Sequence, residues 1–354
     1  MNHQQSQPVG ASKLGLGCVN LGSSGRDGVR LVHHALDHGV GFFDTADAYG
    51  KGGSERVLGR ALRGRRDHAF VATKGGYLFK ERSALTNAGI AFARHAVERS
   101  RRHRPPVASG PVLSGPVVSG PVVSGPARAS SYLRQDFSPA HLRRALEGSL
   151  RRIGTDFIDL YQLHGPDAVD EDVIALMRDL TAEGKIRGFG VALESLGPAG
   201  QWLRTGALSS VQAAFGVLDP EAAATVIPQA AVLGISVVVR GVLAGGFVGQ
   251  HAPHDDPRLR PGQSDTLRDL DRLASVAGVD RKQLAVWYAL ACPGVTTVLI
   301  GTSTEAHLSD AVRYVAAPAP EQLMQRLSHL VAAGSGGPGT SSAGSRNRAA
   351  SLGR

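Results

Sequence analysis

The chain has 354 residues, 42% of them hydrophobic and 5% aromatic, with a formal net charge of +9. That length can bury a substantial core as one large α/β domain or two smaller ones, and the composition is that of a globular protein, which excludes collagen-like and low-hydrophobicity disordered classes. The two cysteines, Cys18 and Cys292, lie far apart without metal-ligand spacing, which argues against a disulfide framework and a zinc site.

The N-terminal residues lack the charged-then-apolar pattern of a secretory leader, and no stretch of spanning length is free of charge. These features predict a cytoplasmic protein with no membrane partner. The basic balance raises the question of an anionic partner, but arginine is spread along the chain. Its one local concentration, Arg94, Arg99, Arg101, Arg102 and Arg104, has no interleaved aromatics. We read it as a solvated basic face and expect no nucleic acid.

In chain order, Leu14 to Val19 has the character of a short buried strand, followed by a helix from Arg26 to His38. Phe42-Phe43 forms the next strand, and Asp44 comes directly after it. Gly52-Gly53-Ser54-Glu55 then opens a helix to Leu62, with Ser54 placed to cap it. The strand Phe70 to Thr73 runs into Lys74. A helix from Pro139 to Ile153 precedes the strand Phe157 to Leu163, which runs into His164. Further strands are expected at Ile186 to Val191, Ser210 to Ala213, Ile235 to Val239 and Val295 to Ile300. Helices are expected at Val173 to Glu183, Leu196 to Thr205, Glu221 to Val232, Leu267 to Ala277 and Arg281 to Ala291.

Short, almost wholly apolar strands alternating with helices imply a parallel sheet covered on its outer face. Eight such units predict an α/β fold, a (β/α)8 TIM barrel, over residues 1–333 as a single domain. An open dinucleotide-binding sheet would need G-x-G-x-x-G after its first strand, and Gly15, Gly17 and Gly22 lack that spacing. Two segments stand outside the barrel pattern. After the third strand a long insertion, placed at 91–130, carries the basic run and then the repeat S-G-P-V-L, S-G-P-V-V, S-G-P-V-V, for which an extended, mobile loop is expected. Residues 334–354 are glycine- and serine-rich and are expected to be a disordered tail.

Asp44, Lys74 and His164 each fall at the C-terminal end of an expected strand, and Tyr49 falls in the loop after Asp44. In a barrel those ends share the rim where active sites are built. The four residue types suit proton-coupled hydride transfer. A carbonyl that accepts hydride becomes an alkoxide and needs a proton. A phenol can give it when a neighbouring ammonium favours the phenolate. A carboxylate would orient the ammonium, and a neutral imidazole can hydrogen-bond the substrate oxygen. Each residue also has a structural reading, as an ion pair, a loop anchor or a core histidine.

The stretches F-F-D-T-A-D-A-Y-G with G-G-S-E-R-V-L-G, V-A-T-K-G-G, S-L-R-R-I-G-T-D-F-I-D-L-Y-Q-L-H and G-K-I-R-G-F-G-V together resemble the aldo-keto reductase superfamily. The resemblance runs from Leu14 to about Val312. It implies a barrel that binds NADPH without a Rossmann domain and reduces a small-molecule aldehyde or ketone. It also implies Tyr49 as general acid, with Asp44, Lys74 and His164 completing the tetrad, and no metal.

Among cofactor-binding positions, Gln212 falls where the family has its amide-binding glutamine, and Gly301, Thr302, Ser303 and His307 fall on the phosphate-binding turn and helix start. Arg240 replaces the aromatic that commonly stacks on the nicotinamide, although a planar guanidinium can also stack. Ala192-Leu193 replaces the usual Ser-Asn. The Lys and Arg frequent in the phosphate turn are absent, so NADH stays open beside NADPH. The alternative function is a catalytically weak, cofactor-sensing subunit resembling potassium-channel β-subunits. Substrate identity and oligomeric state have no readable code.

Overall fold

The computed structural model describes residues 12–79, 134–249 and 254–335. Eight parallel strands close into a barrel: β1 (Leu14–Gly17), β2 (Phe42–Asp44), β3 (Phe70–Gly75), β4 (Leu160–His164), β5 (Phe189–Ala192), β6 (Ser210–Ala214), β7 (Ser236–Arg240) and β8 (Val295–Gly301). The cylinder is shut by β1 against β8, with Leu14 opposite Val298 and Gly17 opposite Gly301. The expected TIM barrel is the fold of this chain. The 91–130 insertion and all but the first two residues of the expected tail lie outside the described residues.

The helices that cover it are α1 (Gly25–Asp37), α2 (Gly53–Ala61), α3 (Pro139–Ile153), α4 (Glu171–Ala182), α5 (Ala199–Arg204), α6 (Val226–Val232), α7 (Gln263–Ala277), α8 (Arg281–Ala291), α9 (Glu305–Ala316) and α10 (Glu321–Ser335). Their local sequence explains several of these ends. Ser138 caps α3 by accepting from the His141 amide, Pro139 occupies the first turn, and Gly154 closes the helix at φ 75°. Asp280 caps α8 in the same way, accepting from the Lys282 amide at 2.7 Å. The last helix extends two residues beyond residue 333, the expected domain end. There Gly334 lies against Thr266 of α7 with no room for a β-carbon.

Three local expectations are corrected. Ser54 does not cap α2; left-handed Gly52, at φ 79°, takes that position. The Ser54 hydroxyl instead donates to the Cys18 carbonyl at 2.8 Å and pairs with the Thr45 hydroxyl, fastening α2 to the ends of β1 and β2. The helix expected over Glu221 to Val232 breaks at Thr225, whose φ of −129° and ψ of −84° are not helical, leaving a 3₁₀ turn before α6. Finally, β4 begins at Leu160 and not at Phe157. The Asp159 side chain there accepts from Arg66 at 2.6 Å, Arg187 at 3.1 Å and the Val71 amide at 2.9 Å, and both guanidiniums lie over the Phe157 ring, at 4.4 and 3.7 Å from its centre. This cluster ties together the lower ends of three strands.

Alternation along the strands then decides what enters the barrel. Phe42, Ala72, Leu160, Val238 and Leu299 pack together as the inner core, while Phe43, Val71, Tyr161, Val211, Val237 and Val239 join the larger core against the helices. Two residues further along the inward faces come Asp44, Lys74, Gln162, Gln212 and Arg240. An apolar plug below therefore carries a polar layer above it.

Candidate active site

Asp44 ends β2, and Lys74 lies one position before the end of β3; both side chains are inward and buried. Lys74 Nζ donates to Asp44 Oδ2 at 2.6 Å, to the Thr45 carbonyl at 2.9 Å and to the Tyr49 hydroxyl at 3.4 Å. The ammonium also lies 4.9 Å from the centre of the Tyr49 ring. Tyr49 belongs to a loop held by backbone bonds from Thr45 to Ala72, from Asp47 to Lys74 and from Ser54 to Tyr49. The phenol is thus presented by a pinned turn.

His164 ends β4 with its ring edge-on to two tyrosines, Tyr49 at 5.8 Å and Tyr77 at 4.7 Å between ring centres. Its Nδ1 is enclosed and has no hydrogen-bond partner among the described residues. The structure therefore brings all four expected catalytic side chains, Asp44, Tyr49, Lys74 and His164, to one place on the rim.

The electrostatics follow from this packing. Burial pulls the Lys74 ammonium down, but the Asp44 carboxylate and the Tyr49 hydroxyl outweigh it, so Lys74 is held above the ordinary lysine value. Burial pushes His164 well below the usual histidine range, with Lys74 and Arg240 adding repulsion, so its imidazole stays neutral. Asp47, buried behind the loop, is pushed well above the carboxylate range by burial and by the Glu55 carboxylate. Glu55 itself is paired with Arg152 at 2.5 Å and accepts from the Thr73 hydroxyl at 2.6 Å, which secures α2 and α3 to β3.

The expected cofactor residues divide into two groups. Gln212 and Arg240 face the polar layer. Gln212 Nε2 donates to Asp44 Oδ1 at 2.9 Å, and Arg240 reaches across β6 to the Leu193 carbonyl at 2.8 Å. Gly301, Thr302, Ser303 and His307 lie apart from the tetrad at the end of β8 and the start of α9. Gly301, Ser303 and His307 are exposed. Thr302 Oγ1 accepts from the Thr304 amide, and Thr304 Oγ1 accepts from the His307 amide as the cap of α9.

Set against a nicotinamide cofactor, these residues fit. The Gly301–Ser303 turn is open and made of small residues at a helix N-terminus, and a β-carbon at Gly301 would meet nothing within 4 Å. Ala192 and Leu193, which stand where the resemblance expects the nicotinamide-binding pair, are buried and apolar. They offer packing and backbone in place of side-chain donors. Among the described residues no group of His, Cys, Asp or Glu is arranged to hold a metal ion.

Three residues at the rim escaped the sequence reading. Gln162 donates to Asp44 Oδ1 at 3.3 Å, and its position two residues before His164 on the same face was the available signal. Tyr77 donates to Glu194, which stands next to Leu193. Gln135 donates to the carbonyls of His164 and Gly165 at 3.0 and 3.2 Å and pairs with Tyr77 as an antiparallel bridge. These last contacts join loops distant in sequence and have no local signature.

A closed (β/α)8 barrel with titratable side chains gathered at the C-terminal ends of its strands is an enzyme scaffold. The family model described as the Aldo/keto reductase family matches residues 13–104 and 121–332, breaking at 105–120, which contain the first part of the repeat. A D-threo-aldose 1-dehydrogenase from a Pseudomonas species is 26% identical over 89% of this chain and 92% of its own. A holo-form aldo-keto reductase structure from Bacillus halodurans is 27% identical, with a TM-score of 0.68 over 90% of this chain and 92% of that one. An aldo/keto reductase of Klebsiella pneumoniae, solved with NADP and acetate, shares the fold at 20% identity and a TM-score of 0.62, over 91% and 92% of the two chains. The chain belongs to the aldo/keto reductase family, whose members are oxidoreductases that use nicotinamide cofactors.

Proposed function

We propose that this protein reduces an aldehyde or ketone to an alcohol with NADPH, and that Tyr49 is the proton donor. The observation that carries the reading is the Lys74 ammonium, held by Asp44 at 2.6 Å and reaching the Tyr49 hydroxyl at 3.4 Å. A cation beside a phenol favours loss of its proton, which is what a general acid needs when negative charge grows on a carbonyl oxygen. The neutral His164, edge-on to the Tyr49 ring, stands beside the phenol where an imidazole can orient that oxygen towards Tyr49.

The cofactor, when bound, supplies the hydride. Gly301, Thr302, Ser303 and His307 would hold its phosphate end, while Arg240 and the apolar Ala192 and Leu193 would face the nicotinamide end. Tyr49 gives its proton to the alkoxide, Lys74 stabilises the phenolate left behind, and Asp44 keeps Lys74 in place. The free cysteines, Cys18 and Cys292, suit a reducing cytoplasmic setting.

The test is NADPH oxidation by the purified protein across a panel of reactive aldehydes and ketones, with NADH in parallel. Turnover supports the reading; its absence with every carbonyl contradicts it. The missing Ser-Asn pair favours one rival, a cofactor-sensing binding subunit. NADPH binding without turnover selects that rival.

A further inference from the structure

We infer that Glu194 is a specificity-determining residue whose carboxylate, held at the barrel mouth beside His164, accepts a hydrogen bond from a hydroxyl of the substrate. The site then prefers uncharged carbonyl compounds hydroxylated a few bonds from the carbonyl, and disfavours carboxylated ones. This rests on the reductase reading above.

Segments distant in sequence meet at this point. Tyr77, after β3, is 5% exposed and packs its ring edge-on to His164 at 4.7 Å between ring centres. Its hydroxyl donates to Glu194 Oε1, in the segment after β5. Gly165 follows His164 at φ 71°, and a β-carbon there would stand 3.2 Å from that same Oε1 and 2.9 Å from Glu194 Cγ. Gln135 pins the turn by donating to the carbonyls of His164 and Gly165. The carboxylate is therefore set beside the residue that follows the imidazole, over a place where a larger residue would push it aside.

Fastening two loops does not account for the residue type. A neutral amide would accept from Tyr77 as well. A carboxylate instead brings negative charge to a mouth where a carbonyl oxygen gains negative charge as it is reduced, and like charges raise that barrier. A substrate hydroxyl that donates to the carboxylate offsets the cost, because a hydrogen bond to an ionised acceptor is stronger than one between neutral groups. Glu194 has the capacity for it. The residue is exposed, Tyr77 takes Oε1, and Oε2 has no partner among the described residues. Arg240, from β7, turns to the Leu193 carbonyl at 2.8 Å and forms no ion pair with Glu194.

The same group sets what is excluded. A substrate carrying its own carboxylate, with its carbonyl at Tyr49 and His164, would bring a second anion towards Glu194. An analogue without hydroxyls would leave the held acceptor unmatched.

Two pairs of aldehydes of equal carbon number test the assignment in the full-length protein with NADPH. Glyceraldehyde against propanal reads the hydroxyls, and succinic semialdehyde against butanal reads the charge, each as a ratio of kcat/KM. The parent should favour glyceraldehyde over propanal about tenfold or more, and Glu194→Ala should cut that ratio about tenfold, chiefly through the KM for glyceraldehyde. Tyr77→Phe keeps the ring beside His164 and releases the carboxylate, and should cut the ratio about threefold. Glu194→Gln should raise the succinic semialdehyde to butanal ratio about tenfold. A residue that only fastens loops would lower both members of a pair alike. Ratios within about twofold of the parent in both Glu194→Ala and Glu194→Gln would overturn the assignment.

If the parent turns over none of these aldehydes, the reductase reading fails, and Glu194 is decided by saturation-transfer NMR of glycerol and propanol with the NADP-loaded protein. A glycerol signal that Glu194→Ala removes supports the assignment. Equal glycerol signals in the two proteins, or none in the parent, overturn it.

Discussion

Lys74 and Asp44 form an ion pair at 2.6 Å with side-chain exposures of only 1% and 6%, on adjacent strands of the barrel interior. A pair this deep is bound to the site in a particular way. Removing one partner strands the other charge, whereas removing both leaves a neutral polar layer. Lys74→Met should therefore cost about 3–5 kcal/mol at neutral pH, and the Asp44→Asn/Lys74→Met double variant clearly less. Urea unfolding of the single and double variants measures the difference. A loss below about 1 kcal/mol in Lys74→Met would mean that the amides alone satisfy Asp44.

His164 makes a pH prediction with a definite sign. Its folded value lies well below that of the unfolded chain, which protonates near pH 6.5. Below that pH the unfolded state binds a proton that the folded state refuses, so the stability this residue contributes is present above about 6.5 and lost as pH falls. Relative to His164→Asn, the parent should lose up to about 1.4 kcal/mol per pH unit below that point. Unfolding titrations at pH 5 and pH 7 read it. An unchanged difference between the two proteins would contradict a neutral buried imidazole.

Asp47 has the opposite sign. Burial and Glu55 raise its folded value well above that of the unfolded chain, near 3.9. Above that pH the folded protein keeps a proton the unfolded chain has released, so stability falls as pH rises through the window up to the folded value. Asp47→Asn, which cannot ionise, should be more stable than the parent by about 1 kcal/mol or more at pH 7, and by less at pH 4.5. Melting temperatures at the two pH values test this. A destabilised variant at pH 7 would show that the carboxylate has a charge-dependent role in holding the Tyr49 loop.

Much of this site was legible in one dimension because the barrel makes strand ends equivalent. Asp44, Lys74 and His164 are polar residues closing apolar strands, and parity alone puts them inside. Parity also reaches Gln162 and Gln212, but what they touch depends on inter-strand register. Lys74 is opposite Gln162, and Gln212 is opposite Ala192, which in turn is opposite His164. No local pattern encodes that relation, so the contacts of Gln162 and Gln212 with Asp44 are visible only in the fold. Ser54 failed for a related reason. A serine at a helix start is a good cap in isolation, but here the ends of β1 and β2 supply better partners. The break at Thr225 and the late start of β4 are likewise tertiary outcomes. Asp159 serves two arginines where a strand pattern alone would extend the strand.

The proposed proton donor is Tyr49, in contact with Lys74 at 3.4 Å, and the most direct test is turnover by Tyr49→Phe beside its NADPH affinity. The variant keeps the ring that packs against His164 and lacks only the hydroxyl. Carbonyl reduction should fall at least about a hundredfold, with NADPH Kd within about threefold of the parent. A variant that reduces the same carbonyls at the parental rate would contradict the assignment of Tyr49.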